Sequence, residues 1–179
     1  MSDNIETAVF GGGCFWCLET VFLQLKGIII VESGYAGGFK ENASYEEVCS
    51  GTTGHAEVIK IIYNSDIISY EKLLEIFFYI HDPTTLNRQG NDIGQQYRSI
   101  ILYADDKQKE SVQNYINDPD NSKMFSKKII TQISPLNTFQ KAEDHHQNYF
   151  SANQNHPYCN IVILPKIEKF KKKFGNLLK

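Results

Sequence analysis

The 179-residue sequence predicts an α+β fold of the ferredoxin-like kind, an α/β sandwich in which helices pack on a mixed sheet and an irregular C-terminal tail follows. Two observations carry this expectation. Runs rich in β-branched residues alternate with stretches whose apolar residues recur every three or four positions, in the order β-α-β, β-α-β, then α-β. No repeat, low-complexity linker or composition break divides the chain, so residues 1–179 read as a single domain with a core of about 7–150 and a tail of 151–179.

Each element has its own signal. Thr7–Phe10 (TAVF) reads as a short strand. Three glycines follow, and then Phe15, Leu18, Val21, Phe22 and Leu25 recur at helical spacing until Gly27 ends the helix. Ile28–Tyr35 (IIIVESGY) is a β-branched strand. A loop region dense in Gly, Asn, Ser and Thr runs from there to His55, with a helical turn around Tyr45–Cys49. Ala56–Asn64 alternates as a strand, and Ser69 is a good N-cap for a helix over Tyr70–Tyr79. His81–Arg98 is long, polar and irregular, and such loops inside compact domains are often functional. Ser99–Ala104 is a strand, Asp105–Asp118 a polar-faced helix and Lys127–Ser134 another strand. His145 and His146 fall on a predicted helix. The final KIEKFKKKF is a short basic helix whose lysines form a solvated face.

The totals exclude several classes. Hydrophobic residues at 41% and charged residues at 22% suit a globular protein, and a net charge of -3 gives no argument for nucleic acid. No apolar run approaches the roughly 20 residues of a membrane span. The start, MSDNIETAVF, has two acids, no basic residue and no long apolar stretch, unlike a secretory leader. A cytoplasmic setting is the default expectation. Four cysteines, Cys14, Cys17, Cys49 and Cys159, are too sparse for a disulfide scaffold.

The most informative stretch is GGGCFWCLE, Gly11–Glu19. A cysteine after a strand and a glycine turn, at the start of a helix, meets unpaired N–H groups and the positive end of the helix dipole. Those stabilise a thiolate and lower its pKa, so Cys14 is expected to be reactive. Cys17, one turn deeper, faces inward, as free cysteines commonly do. A C-x-x-C dithiol is allowed by the spacing, although Phe15 and Trp16 replace the small residue or proline usual between such a pair. Zinc would need four ligands, and Cys49 and Cys159 stand alone with no second C-x-x-C. The preferred reading is a nucleophilic Cys14 with Phe15 and Trp16 as an apolar wall for a small side chain. A nucleophile needs an acid or a base. Glu57 lies at the start of a predicted strand; half-burial there would raise its pKa and make it a proton donor, although a solvated strand-end glutamate is the commoner case. Tyr45, Asp92, Tyr97, His145 and His146 lie on neighbouring segments, where such residues are more commonly structural.

Together, GGGCFWCLE, SGYAGG, YEEVCSGTTGHAEVI, NDIGQQYRS and AEDHHQNYF resemble the peptide methionine sulfoxide reductase A family, in the expected order from about Ala8 to Phe150. The resemblance implies an enzyme that reduces the S epimer of methionine sulfoxide, in oxidised proteins and as the free amino acid. It implies Cys14 as nucleophile and Glu57 as the acid that protonates the leaving oxygen. Tyr45 and Tyr97 would hydrogen-bond that oxygen, Asp92 would order the network, and Phe15 and Trp16 would hold the methyl group on sulfur. Gly54 and His55 look like positioning residues. No cofactor and no metal is implied. The product on Cys14 is a sulfenic acid. A second thiol condenses with it to a disulfide that thioredoxin reduces. Cys49 ranks first for that thiol, then Cys159, if the tail folds back over the site. Cys17 ranks third because the helix end would have to distort. The competing readings are a general dithiol oxidoreductase and a non-catalytic module that binds methionine sulfoxide or unfolded segments.

Overall fold

The computed structural model describes residues 4–179; Met1–Asp3, the first three residues of the stretch that reads as unlike a leader, lie outside the described residues. In chain order the elements are β1 (Ile5–Gly11), α1 (Phe15–Phe22), β2 (Ile28–Ala36), α2 (Tyr45–Cys49), β3 (Ala56–Asn64), α3 (Tyr70–Ile80), β4 (Arg88–Gln89), β5 (Asp92–Ile93), β6 (Ile100–Tyr103), α4 (Asp106–Asn117), α5 (Pro119–Ser122), β7 (Gln132–Pro135), β8 (Phe139–Lys141), α6 (Tyr149–Ala152) and α7 (Leu164–Phe174). The fold is α+β. One six-stranded mixed sheet runs in the order β7-β6-β1-β3-β2-β8, antiparallel except for the β6–β7 pair.

The pleat sorts side chains to two faces. On β3, Ile59, Ile61 and Tyr63 join the large core that the helices cover, together with Ala8 and Phe10 of β1. Val9, Ala36, Ala56, Val58, Ile100 and Leu102 form a smaller cluster on the other face, closed by Leu136 and Phe139. Glu57 has the same parity as Ile59 and Ile61, so the alternation sends a carboxyl into the helix-covered side. Helix α1 packs on β2 and β3, while α3 packs against α4 and α7. The expected cap of α3 is present: the Ser69 hydroxyl accepts from the Lys72 N–H at 3.2 Å.

The structure shortens or rewrites several expected elements. Helix α1 stops at Phe22, because the next residues tighten: Gln24 N–H bonds Val21 O at 3.2 Å and Leu25 N–H bonds Phe22 O at 3.2 Å. The strand expected over Lys127–Ser134 keeps only Gln132–Pro135, since the Ile130 N–H is taken by Pro83 O at 2.8 Å, away from the sheet. His145 and His146 sit in a single 3-10 turn, Asp144–His146, and the long polar loop contains the β4–β5 hairpin. The largest correction concerns the tail. It is not irregular: a π-turn at Cys159–Ile163 leads into α7, and Cys159, Ile163 and Phe170 are fully buried. Only the lysine face of α7 is solvated, with Lys169 and Lys173 over the Tyr79 ring at 4.6 and 4.4 Å. Among the described residues no helix is long and apolar enough to cross a membrane.

If the tail is part of the core, Phe170→Ala should lower the unfolding free energy by about 3–5 kcal/mol in urea titrations. A loss under about 1 kcal/mol would show α7 to be a surface appendage.

Candidate active site

Strand β1 ends at Gly11, and Gly13 takes φ +93°, where an added Cβ would lie 2.7 Å from Gln89 Cγ. This turn leaves Cys14 at the N-cap of α1, with extended φ and ψ of -62° and 128° and only 7% exposure. The Cys14 side chain caps nothing. The first helical N–H, that of Phe15, donates to Glu57 Oε2 at 3.0 Å. A strand residue therefore satisfies one of the donors that a helix start leaves unpaired, and it does so at the positive end of the dipole.

Glu57 is 1% exposed, and burial pushes its carboxyl up to about 8 against the lowering effect of the Phe15 N–H. Burial opposes the lowering of the Cys14 pKa expected from the helix start. Burial raises the thiol well above its ordinary value, and a hydrogen bond with Cys17 and the charge of Glu57 raise it further. Desolvation outweighs the helix start here, because both sulfurs lie inside the core rather than at its rim. Cys14 and Cys17 occupy the N-cap and N3 positions of α1.

The Phe15 ring is fully buried against Tyr35 (5.8 Å between centroids) and His146 (5.4 Å). Trp16 is half-buried; its ring stacks on Tyr149 at 3.6 Å and 6°, and its Nε1–H donates to His146 Nδ1 at 3.3 Å. The chain over residues 142–149 straps these aromatics in place. Glu143 accepts from the Tyr35 hydroxyl at 2.7 Å and from the Tyr45 N–H at 3.0 Å. The Gln147 amide pairs with both backbone groups of Ser33, at 3.0 and 2.9 Å. Glu19, 1% exposed on α1, accepts from the Asn148 N–H at 3.0 Å.

Tyr45 opens α2, a helix of five residues fixed by a Ser44–Glu47 capping box. Its ring lies 4.4 Å from that of His146. Tyr97 closes the turn Gln95–Tyr97, which Arg98 ties to Gln95 O at 2.9 Å and to Gly54 O at 3.0 Å. Burial first, and then the Glu57 charge, pushes both hydroxyls far up, so they remain donors. His55 clamps the neighbouring loop by accepting from the Gly38 N–H at 3.1 Å and donating to Lys40 O at 2.7 Å. Asp92, on β5, accepts from the Tyr158 hydroxyl at 2.6 Å, and Tyr158 lies 4.0 Å from the Cys17 sulfur. A cleft of about 550 Å³ opens there, lined by Asp92, Tyr158, Ile161 and Lys166 among others. All four cysteines are free: Cys49 is half-buried at the end of α2, and Cys159 is fully buried, where it feels the Cys17 charge.

The structure thus groups Cys14, Glu57, Phe15 and Trp16 at one helix start, with Tyr45 and Tyr97 within reach of the Glu57 charge and Asp92 bound to the tail. Sequence reasoning missed Glu19, Tyr35, Glu143, Tyr149 and Tyr158. Only Glu19 carried a signal: it stands among Phe15, Leu18 and Phe22 on the apolar stripe of α1, where an acid is out of place.

Comparison with known proteins agrees with this geometry. The family described as peptide methionine sulfoxide reductase matches residues 6–178. A peptide methionine sulfoxide reductase MsrA of Saccharolobus solfataricus is 50% identical over 175 residues, covering 98% of both chains. Mxr1 of Saccharomyces cerevisiae in reduced form superposes with a TM-score of 0.76 at 33% identity, covering 89% of this chain and 91% of that one. Mxr1 in complex with Trx2 superposes at 0.53 and 25% identity, covering 83% of this chain and 87% of that one. On these matches, the chain belongs to the peptide methionine sulfoxide reductase family.

Proposed function

We propose that this enzyme reduces the S epimer of methionine sulfoxide, in oxidised proteins and as the free amino acid, through Cys14 as nucleophile and Glu57 as proton donor. The observation that carries the reading is the buried Glu57 carboxyl, pushed up to about 8 and bonded to the backbone beside Cys14. A carboxyl with that pKa keeps its proton at neutral pH, which also removes the carboxylate charge that opposes a Cys14 thiolate.

In the proposed reaction Cys14 sulfur attacks the sulfoxide sulfur while Glu57 gives its proton to the oxygen. The oxygen passes to Cys14 as a sulfenic acid, methionine leaves as the thioether, and the thiol proton restores Glu57. Tyr45 and Tyr97, both held as donors, bond the oxygen as charge develops on it. Asp92, which holds the Tyr158 hydroxyl and whose charge raises the Glu57 pKa, would order the neighbouring groups. Phe15 and Trp16 offer the apolar surface that a thioether methyl prefers.

A second thiol then displaces water from the sulfenic acid. Cys49, Cys159 and Cys17 are the thiols available: Cys49 at the end of the helix that Tyr45 opens, Cys159 buried within the charge of Cys17, and Cys17 three residues on from Cys14 in α1. A thioredoxin dithiol takes up the oxidation, a reading supported by the Mxr1–Trx2 relative. Four cysteines, too sparse for a disulfide scaffold, support a reducing, cytoplasmic setting. Burial of the tail in the main core supports one catalytic unit over the whole chain. The β1-α1-β2-β3-α3-β6 path, with strand order β6-β1-β3-β2, supports a ferredoxin-like description.

Cys14→Ser should abolish reduction of a methionine S-sulfoxide peptide with excess dithiothreitol; a wild-type protein that leaves this peptide untouched contradicts the reading. Since the proton donor must be protonated, kcat/KM should fall as pH rises through about 8. Glu57→Gln should lower kcat by about 10²- to 10⁴-fold and remove that limb. The same carboxyl has a folded pKa above its ordinary 4.5, so its contribution to stability is full below that value and lost as pH rises through about 8. Glu57→Gln should therefore melt higher than wild type at pH 9, and an unchanged difference between pH 5 and 9 would be evidence against a raised pKa.

A further inference from the structure

We propose that Glu19 is a positioning residue for the substrate wall: its carboxyl oxygen holds the Asn148 backbone and thereby keeps the Tyr149 ring stacked on Trp16. The proposal rests on the reading of Trp16 as the surface that receives the thioether.

Glu19 is an acid where the helix pattern demands an apolar residue. Its neighbours on the stripe, Phe15, Leu18 and Phe22, are each at most 1% exposed, and Glu19 itself is 1% exposed. Removing a carboxylate from water is costly unless the structure returns hydrogen bonds to it. Here the return is specific: Glu19 Oε1 accepts from the Asn148 N–H at 3.0 Å, across 129 residues of chain. Burial pushes the carboxyl up to about 7, and the Asn148 and Tyr149 N–H groups pull against that rise.

The bond falls where the strap changes direction. Asn148 adopts the left-handed conformation, φ +51° and ψ +35°, between the turn at Asp144–His146 and the start of α6. It is the N-cap of α6, yet its own side chain makes no capping bond. Glu19 thus anchors from α1 the residue at which α6 begins. The next residue, Tyr149, is the one that lies parallel to Trp16 at 3.6 Å. Trp16 and Glu19 are three apart on α1, so one helix face holds both the wall and the anchor of the ring behind it. The remaining strap bonds, from Glu143 and Gln147, fix Tyr35, Tyr45 and Ser33; none acts at Asn148.

The test uses two variants that keep the side-chain length. Glu19→Gln retains a carbonyl acceptor for the Asn148 N–H, whereas Glu19→Met fills the volume without one. Trp16 is the only tryptophan in the chain, so tryptophan emission reports on its environment directly. Glu19→Met should shift that emission and raise KM for a methionine S-sulfoxide peptide roughly three- to tenfold, with kcat within about twofold. Glu19→Gln should stay near wild type in both. An unchanged emission and KM in Glu19→Met, or equal losses in both variants, overturns the proposal. Should Glu19→Met fail to fold in a thermal melt, Tyr149→Leu, which leaves Glu19 in place, must give the same KM rise, and an unchanged KM there overturns it too. Absence of any sulfoxide reduction by the wild type contradicts the proposed reaction instead, while the emission comparison still reads the Glu19 anchor.

Discussion

The hydrogen bond from the Phe15 N–H to Glu57 ties the centre of the sheet to the start of the helix that carries the proposed nucleophile. Strand β3 supplies the carboxyl because its period of two continues past Ile59 and Ile61 to residue 57. Helix α1 supplies the donor because every helix begins with N–H groups that lack partners. Bringing the two together buries a carboxyl at the position where a thiol meets the core. Desolvation then acts on both groups in the same direction, toward their neutral forms. The site therefore rests as a thiol beside an acid, a pairing suited to a reaction that consumes a proton as the nucleophile attacks.

The remainder of the site is assembled by polar side chains that bind backbone, most of it far away in sequence. Glu143, Gln147 and Glu19 draw one strap over α1 and β2, and Arg98 draws the Gly54 and Gln95 carbonyls together. Each is partly or fully withdrawn from water and bonds at least one defined partner, although Glu19 Oε2 has none among the described residues. The aromatic rings Phe15, Trp16, Tyr45, His146 and Tyr149 pack as a consequence. The C-terminal segment closes the other side, where Tyr158 joins Asp92 to the neighbourhood of Cys17.

Much of the framework was legible. The β-branched runs gave β2 and β3 their limits within a residue, Ser69 marked the start of α3, and the cysteine stretch pointed to a helix start. Glu57 was legible as a carboxyl at a strand start, though not as the partner of Phe15. The tail was misread because the basic face of KIEKFKKKF is conspicuous, whereas Ile167, Phe170 and Phe174 reveal their burial only once α1 and α3 present a surface to cover. Likewise Glu143, Tyr149 and Tyr158 look like ordinary polar and aromatic residues, since the partners that define them lie about 65 to 140 positions away. The upward push on the Cys14 thiol has a related cause. A helix start is visible in sequence, but the depth at which it is buried is a property of the whole core.

The central claim is that Glu57 keeps its proton at neutral pH. The direct measurement is a carbon-13 NMR titration of the glutamate side-chain carboxyls in the substrate-free protein, with the Glu57 resonance assigned by its loss in Glu57→Gln. The account predicts a midpoint near 8 for that resonance. A midpoint close to the ordinary 4.5 would contradict it, because the group beside Cys14 would then be a carboxylate with no proton to give.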